Sequence, residues 1–381
     1  MDHAALSFED IRPYRDEEVP AIMQRVTERP TFPLLMSYLY PEVPPEAIAQ
    51  QMRQVRNVAE FQHTYISHAV NHIVRDSITE LTHEGLAALD PQQSYLFLSN
   101  HRDIILDSAL LNVLRWELKH PTTEIAIGDN LMITPLITDL MKLNKSFIVH
   151  RHPPRQQAYA YSQRLSHYIR SLIGGQRSSV WLAQRNGRTK DGCDLTQASL
   201  LKMLQLSGSD EDLSASFKAL RIVPLAISYE FEPCDYLKAE ELLHQSKGLP
   251  YQKNDRQAII EGIREPKGRV HVAAGQPLAA EIDALSPQAN RNDWLRAMAW
   301  LIDAHIHRLY RRWPIQYAAY DRLHGGDRMA DYYSVADQEQ LEVHLRQRLQ
   351  QSRHASPELE TMICRIYAGM IEADLSKKAS D

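Results

Sequence analysis

Cysteine is scarce and unpaired. Cys193, Cys234 and Cys364 are the only three in 381 residues, and without a CxxC spacing they support neither a disulfide framework nor a zinc cluster. A reducing compartment suits such a chain. No window approaches the eighteen or so apolar residues that a membrane span needs. Met1 to Leu6 shows no basic stretch leading into an apolar one, so a secretory leader is not expected. The expected location is the cytoplasm, at most peripheral on the cytosolic face of a membrane. There is also no excess of positive charge. Forty-three basic residues against 48 acidic ones give a net charge of −5, which argues against a general nucleic-acid binder and makes any anion site a local one. The sequence has no GxSxG elbow, Walker loop or GxGxxG, which disfavours a serine hydrolase, a P-loop NTPase and a common dinucleotide binder.

The chain is long enough for one large domain with appendages, or for two domains. Residues 1 to 90 open polar and turn-rich, broken by Pro30, Pro33, Pro41, Pro44 and Pro45, with no strand pattern. From Phe61, the residues Tyr65, Ala69 and Ile73, then Val70, Val74, Ile78 and Leu81, trace a stripe at steps of three and four, which predicts a core-facing helix. Strand-like runs then alternate with helical ones: Tyr95 to Ser99, Glu124 to Gly128, Ser146 to Val149, Ser179 to Ala183, Arg221 to Ile227 and Arg269 to Ala273. Helical periodicity returns from Asn292, with Trp294, Leu295, Met298, Leu301, Ile302 and Ile306 on one stripe. This alternation predicts an α/β fold with a mostly parallel central sheet flanked by helices. It would span 91–285, between helical regions at 1–90 and 286–381.

Chemistry concentrates where these strands end. The apolar run Tyr95 to Leu98 leads into Ser99-Asn100-His101-Arg102-Asp103-Ile104-Ile105-Leu106-Asp107 and then a helical pattern. His101 thus sits at a strand-to-helix switch, the place where open α/β sheets expose side chains to a crevice. An imidazole held by Asp103 or Asp107 can take a proton from a hydroxyl or amine as it attacks a carbonyl. The helix start offers free backbone N–H groups for an oxyanion. Taken alone, Asp107 could equally be a helix cap. A second strand, Phe147-Ile148-Val149-His150, delivers Arg151. A third, from Val180, opens into a loop holding Arg185, Asn186, Gly187, Arg188 and Lys190, where glycine admits close approach and arginine forks match phosphate. Eight cations and no Asp or Glu occupy the stretch from Arg151 to Lys190, which suggests a basin for an anionic ligand. A fourth strand carries Pro224, a residue more often found at a strand edge or bulge than in a functional wall. Asp303 to His307 reads as a helix with exposed histidines and no metal site. Cys193 and Asp194 read as packing and capping.

This ordered set resembles the glycerolipid acyltransferase superfamily, which includes glycerol-3-phosphate and 1-acylglycerol-3-phosphate acyltransferases. The resemblance covers residues 93 to 232. It implies that His101 is the general base and Asp107 its partner, that Arg151 and Arg188 bind the acceptor phosphate with Arg185, Asn186, Gly187 and Lys190 nearby, and that Pro224 walls the acyl side. It further implies a donor on coenzyme A or acyl carrier protein, no metal or bound cofactor, and a hydroxyl acceptor on glycerol 3-phosphate or lysophosphatidate. Two features depart from the family. Five residues separate His101 from Asp107, one more than is usual, and Asp103 remains a rival partner. The loop Arg185-Asn186-Gly187-Arg188 lacks the family's acidic residue. These departures keep two alternatives open: an amino-acid or lyso-aminolipid acceptor, and a lipid or acyl-carrier binding protein without turnover. Leu34 to Tyr40 and Leu309 to Ile315 could touch a bilayer, although both read more readily as core.

Overall fold

The computed structural model describes residues 7–285 and 289–378, with the side chains of 376–378 excepted, so Met1 to Leu6 lie outside the described residues. Its centre is a seven-stranded sheet. The strands are β1 (Ile78–Glu84), β2 (Leu96–Ser99), β3 (Glu124–Gly128), β4 (Ser146–Val149), β5 (Val180–Ala183), β6 (Ile222–Tyr229) and β7 (Gly268–Ala274), in the order β1-β7-β6-β2-β5-β3-β4. Every neighbouring pair is parallel except β6 with β7. The fold is therefore the expected α/β class.

Period-two alternation splits the central strands between two cores. Leu96, Leu98, Val180, Leu182, Ile222 and Ala226 face one cluster, shared with the helices Ala158–Gly174, Ala198–Gln205 and Arg291–Leu309. Phe97, Trp181, Val223, Leu225 and Ile227 face the other, shared with the helix Leu106–Glu117. Both faces of the sheet are covered, which is why these strands read as unbroken apolar runs.

One expectation changes. The stripe beginning at Phe61 does not stay helical: the helix Ser67–Ser77 ends where the Ser77 hydroxyl turns back to the Ile73 carbonyl at 2.7 Å, and Ile78 starts β1. Ile78 and Leu81 are three apart and so mimic a helical step, while the mostly exposed edge strand leaves no apolar run to see. Leu309 to Ile315 follows its core reading, with Tyr310, Trp313 and Ile315 buried and Arg311 exposed. The helix Phe32–Leu39 buries Phe32 and Met36 but leaves Leu34 78% exposed. Among the described residues, no helix is long and apolar enough to cross a membrane.

Candidate functional site

β2 stops at Ser99, and Asn100 staples its end to β6: the side-chain amide donates to the Ile227 carbonyl at 2.9 Å and accepts from the Ile227 N–H at 2.8 Å. His101 follows, 8% exposed, and its ring meets Trp181 edge-on at 5.6 Å. Its Nδ1 lies 2.9 Å from Asp107 Oδ2. That same oxygen accepts from the backbone N–H groups of Arg102 at 2.7 Å and Asp103 at 3.0 Å, and Asp107 Oδ1 accepts from the Tyr229 hydroxyl at 2.8 Å. Asp103 does different work. Its Oδ1 caps the helix start through the N–H groups of Ile105 and Leu106, at 2.8 and 2.7 Å. The ring partner is therefore Asp107. Of the helix-start N–H groups expected to serve an oxyanion, those of Ile105 and Leu106 are engaged by Asp103, while Asp107 takes the N–H groups of Arg102 and Asp103 just before the helix.

Beneath His101 lies a buried charge network. The Arg102 guanidinium reaches Asp194 Oδ2 at 2.6 Å and Glu232 Oε2 at 3.1 Å, while Lys238 Nζ bridges Glu232 Oε1 at 2.6 Å and the Arg102 carbonyl at 2.7 Å. Thr189 donates its hydroxyl to Asp194 Oδ1 at 2.6 Å and its N–H to the His101 carbonyl at 2.7 Å, which ties the basic loop to the histidine turn. Burial alone would raise the Asp194 carboxyl, but the charge of Arg102 and the hydrogen bonds from Thr189 and Asn100 hold it below its ordinary value. His307, expected to be exposed, is buried with Nε2 at 2.7 Å from the Asp194 carbonyl. Asp194, expected only to cap or pack, is a centre of this network.

A cavity of about 380 Å³ opens beside His101 at the carboxyl ends of β3, β4 and β5. It brings together His101, His150, Arg151, Arg185, Asn186 and Gly187. Arg151 lies across Gly128, where a Cβ would sit 2.2 Å from its Nε, and burial lowers its pKa. Gly187 has φ +80°, so the loop turns through the left-handed region there. Among the described residues Arg185 Nε has no hydrogen-bond partner, and a carboxylate oxygen of Asp191 is 4.0 Å from its Nη1. An apolar wall of Ile148, Val149, Leu165, Leu182, Leu200 and Met203 completes the space.

Five residues expected at the site stand outside this lining; Asp107 is one, acting on the cavity through His101. Arg188 is not among the lining residues but is close enough to repel Arg151, with Nη1 unpartnered among the described residues. Lys190 turns away to bind Glu241, which Lys253 also reaches. Pro224 is buried where the β6–β7 ladder ends, its carbonyl accepting from Gly275 N–H at 2.9 Å. Its missing N–H suits that last rung, not a cavity wall. Asp103 is the fifth. Sequence reasoning in turn missed Trp181, Tyr229, His150, Arg102, Glu232 and Lys238. Only His150, next to Arg151 at a strand end, carried a local signal. No group of three or more His, Cys, Asp or Glu stands together as metal ligands among the described residues.

These features define an α/β protein with a carboxylate-oriented histidine at the end of a parallel strand, facing a cavity with cations. No family model and no curated protein matches the chain. Among solved structures, the 1-acyl-sn-glycerophosphate (LPA) acyltransferase from Thermotoga maritima is similar over 78% of this chain and 99% of that chain, with a TM-score of 0.40 and 10% identity. A likeness at that level assigns neither family nor activity.

Proposed function

We propose that the chain is an acyltransferase that moves a fatty acyl group from a thioester, on coenzyme A or acyl carrier protein, to a hydroxyl of an anionic acceptor such as glycerol 3-phosphate or lysophosphatidate. The observation that carries this reading is the cavity itself. His101, oriented by Asp107, shares it with Arg151 and Arg185, and no Asp or Glu is among the residues lining it. Asp129 and Asp255 act on Arg151 from outside the lining, but a headgroup ammonium would face the Arg151 and Arg185 cations directly, so the anionic acceptor is favoured over a lyso-aminolipid. The order of motifs from His101 to Pro224 supports the same reading by its resemblance to glycerolipid acyltransferases.

With Nδ1–H donated to Asp107, the neutral ring keeps Nε2 as its base. Nε2 takes the acceptor hydroxyl proton as the oxygen bonds to the thioester carbonyl carbon. The C–S bond of the tetrahedral intermediate then breaks, and the same proton passes to the departing thiolate. Developing charge on the carbonyl oxygen falls to the Arg185 guanidinium in the 185–187 loop, since the N–H of Asn186 is taken by Gln197 and those of Ile105 and Leu106 by Asp103. The acyl chain lies on the apolar wall. Exposed Leu34 and Tyr38 give a peripheral contact with the bilayer that holds a lipid acceptor.

The test is free-thiol release from acyl-CoA and acyl carrier protein with glycerol 3-phosphate or lysophosphatidate, comparing wild type with a folded His101→Ala variant. Acceptor-dependent release should fall roughly 10²–10⁴-fold in the variant. If wild type releases no more thiol than the variant while lipid still binds, the chain is a binding protein.

A further inference from the structure

Gln197 borders the cavity and is held from three sides. Its own N–H donates to the Gln184 carbonyl at 2.9 Å, and the Gln184 N–H donates to the Ser99 carbonyl at 2.8 Å. The residue is thereby tied through the end of β5 to the end of β2, two positions before His101. On its other side Asp303 Oδ1 accepts from the Thr196 N–H at 2.8 Å and from the Thr196 hydroxyl at 2.6 Å, and both of these residues are buried. The third hold is on the side chain itself, where Gln197 Oε1 accepts from the Asn186 N–H at 2.8 Å.

That last bond orients the planar amide. With the oxygen turned to Asn186, Nε2 presents two N–H groups. Nothing among the described residues accepts from them, and the nitrogen is not closed off from solvent. Gln197 lines the cavity together with His101 and Arg185. Strand order decides which end of the ligand these donors meet. β5 lies beside β2, whereas β3 stands between β5 and β4, the strand that delivers Arg151. At the usual strand spacing, the end of β5 is about 5 Å from the strand of His101 and about 10 Å from that of Arg151. Gln197 therefore belongs to the reacting end. A neutral amide donor suits a carbonyl oxygen, which is uncharged at first and gains charge only as the new bond to carbon forms.

We propose that Gln197 is a catalytic residue: its Nε2–H and the Arg185 guanidinium together form the oxyanion site for the thioester carbonyl oxygen. This rests on the acyl-transfer reading for the identity of the bound carbonyl. As the acceptor oxygen bonds to the carbonyl carbon, the C=O π pair moves onto the carbonyl oxygen, where the two donors stabilise it. The pair returns to the carbon–oxygen bond as the C–S pair leaves on sulfur, and His101 keeps both proton transfers. The two ends of one amide thus divide the work, the oxygen holding the basic loop and the nitrogen meeting the substrate.

The test uses the full chain with Gln197→Glu, which keeps an oxygen for the Asn186 N–H and loses the donors, and Gln197→Met, which loses both. In each variant kcat should fall about 10²-fold, with a far smaller change in acceptor KM. Hydrogen exchange of residues 185–187 should stay as slow as in wild type for Gln197→Glu and quicken for Gln197→Met. Infrared spectra of palmitoyl thioesters labelled with carbon-13 at the carbonyl, on coenzyme A and on acyl carrier protein and bound without acceptor, supply a readout that needs no turnover. The carbonyl band should lie lower on wild type than in water and return toward the water position on Gln197→Met. Wild-type kcat in Gln197→Glu would make the side chain a loop anchor only and overturn the proposal, as would a carbonyl band that Gln197→Met leaves in place. If the band moves as expected in a protein that transfers no acyl group, the acyl-transfer reading alone fails; if neither thioester binds, both fall.

Discussion

Tyr229 and His101 hold opposite oxygens of one carboxylate: the phenol donates to Asp107 Oδ1 at 2.8 Å, and the imidazole Nδ1 lies 2.9 Å from Oδ2. Burial, then the charge of Asp107, pushes the Tyr229 hydroxyl well above its ordinary pKa, so it remains a donor wherever the fold persists. Tyr229→Phe leaves a buried carboxylate oxygen without that donor. Stability should fall by about 1.5–3 kcal/mol and turnover by roughly tenfold through looser ring orientation. The shape of the pH–rate profile should not change. Denaturant melts and initial rates check this, and a Phe variant as stable as wild type would remove Tyr229 from the account.

Gly128 and Gly187 flank Arg151 for different reasons, and alanine separates them. At Gly128 a Cβ would lie 2.2 Å from Arg151 Nε and 2.5 Å from Asn130 Oδ1, so the guanidinium must move. At Gly187 the nearest atom, Arg151 Nη1, is 3.9 Å away, and the cost is the left-handed backbone alone. Gly128→Ala should raise the acceptor KM by about tenfold. Gly187→Ala should cost about 1–2 kcal/mol of loop stability with a smaller change in KM. Steady-state kinetics and hydrogen exchange of the loop read the two effects, and the reverse ranking in KM would contradict this placement of Arg151.

Asp194 makes the buried network sensitive to acid. Its folded carboxyl lies below the ordinary value, so on unfolding it gains affinity for protons. The stabilisation it provides is complete above the unfolded carboxylate pKa of about 4 and is lost as pH falls through the lower folded value. Asp194→Asn should cost about 3–5 kcal/mol at neutral pH by leaving Arg102 underpaired, and it should flatten the acid limb of stability. Urea midpoints measured between neutral and strongly acidic pH test both effects. An acid limb as steep as that of wild type would place the sensitivity elsewhere.

What could be read from the sequence follows from the range of each interaction. β2 through β6 were legible because strands buried on both faces become unbroken apolar runs, and His101 and Arg151 were legible because they stand where such runs stop. β1 was not, since an exposed edge strand carries no such run and Ile78 with Leu81 imitates a helix. The antiparallel seam between β6 and β7 was also hidden, because a strand's direction leaves no mark on its own residues. The supports of the site depend on distant pairs: Arg102 meets Asp194 and Glu232 across 92 and 130 positions, and Tyr229 meets Asp107 across 122. His150 was passed over beside Arg151 because its carboxylate, Asp129, lies 21 residues earlier, in the turn just past the neighbouring strand β3. Arg188, Lys190 and Pro224 show the converse, since a motif's order along the chain does not say which of its side chains face the same space.

The carbonyl of Ile11 accepts the Ile148 N–H at 2.9 Å, so the N-terminal segment seals the rim of β4, and Ile11 also borders the cavity. Trimming the chain beyond this residue would do two things at once: it would unroof the ligand chamber and bare a sticky border to which other copies could add. Self-association on shortening is therefore built into the architecture, and a tag or fusion at this end has to leave that seal intact.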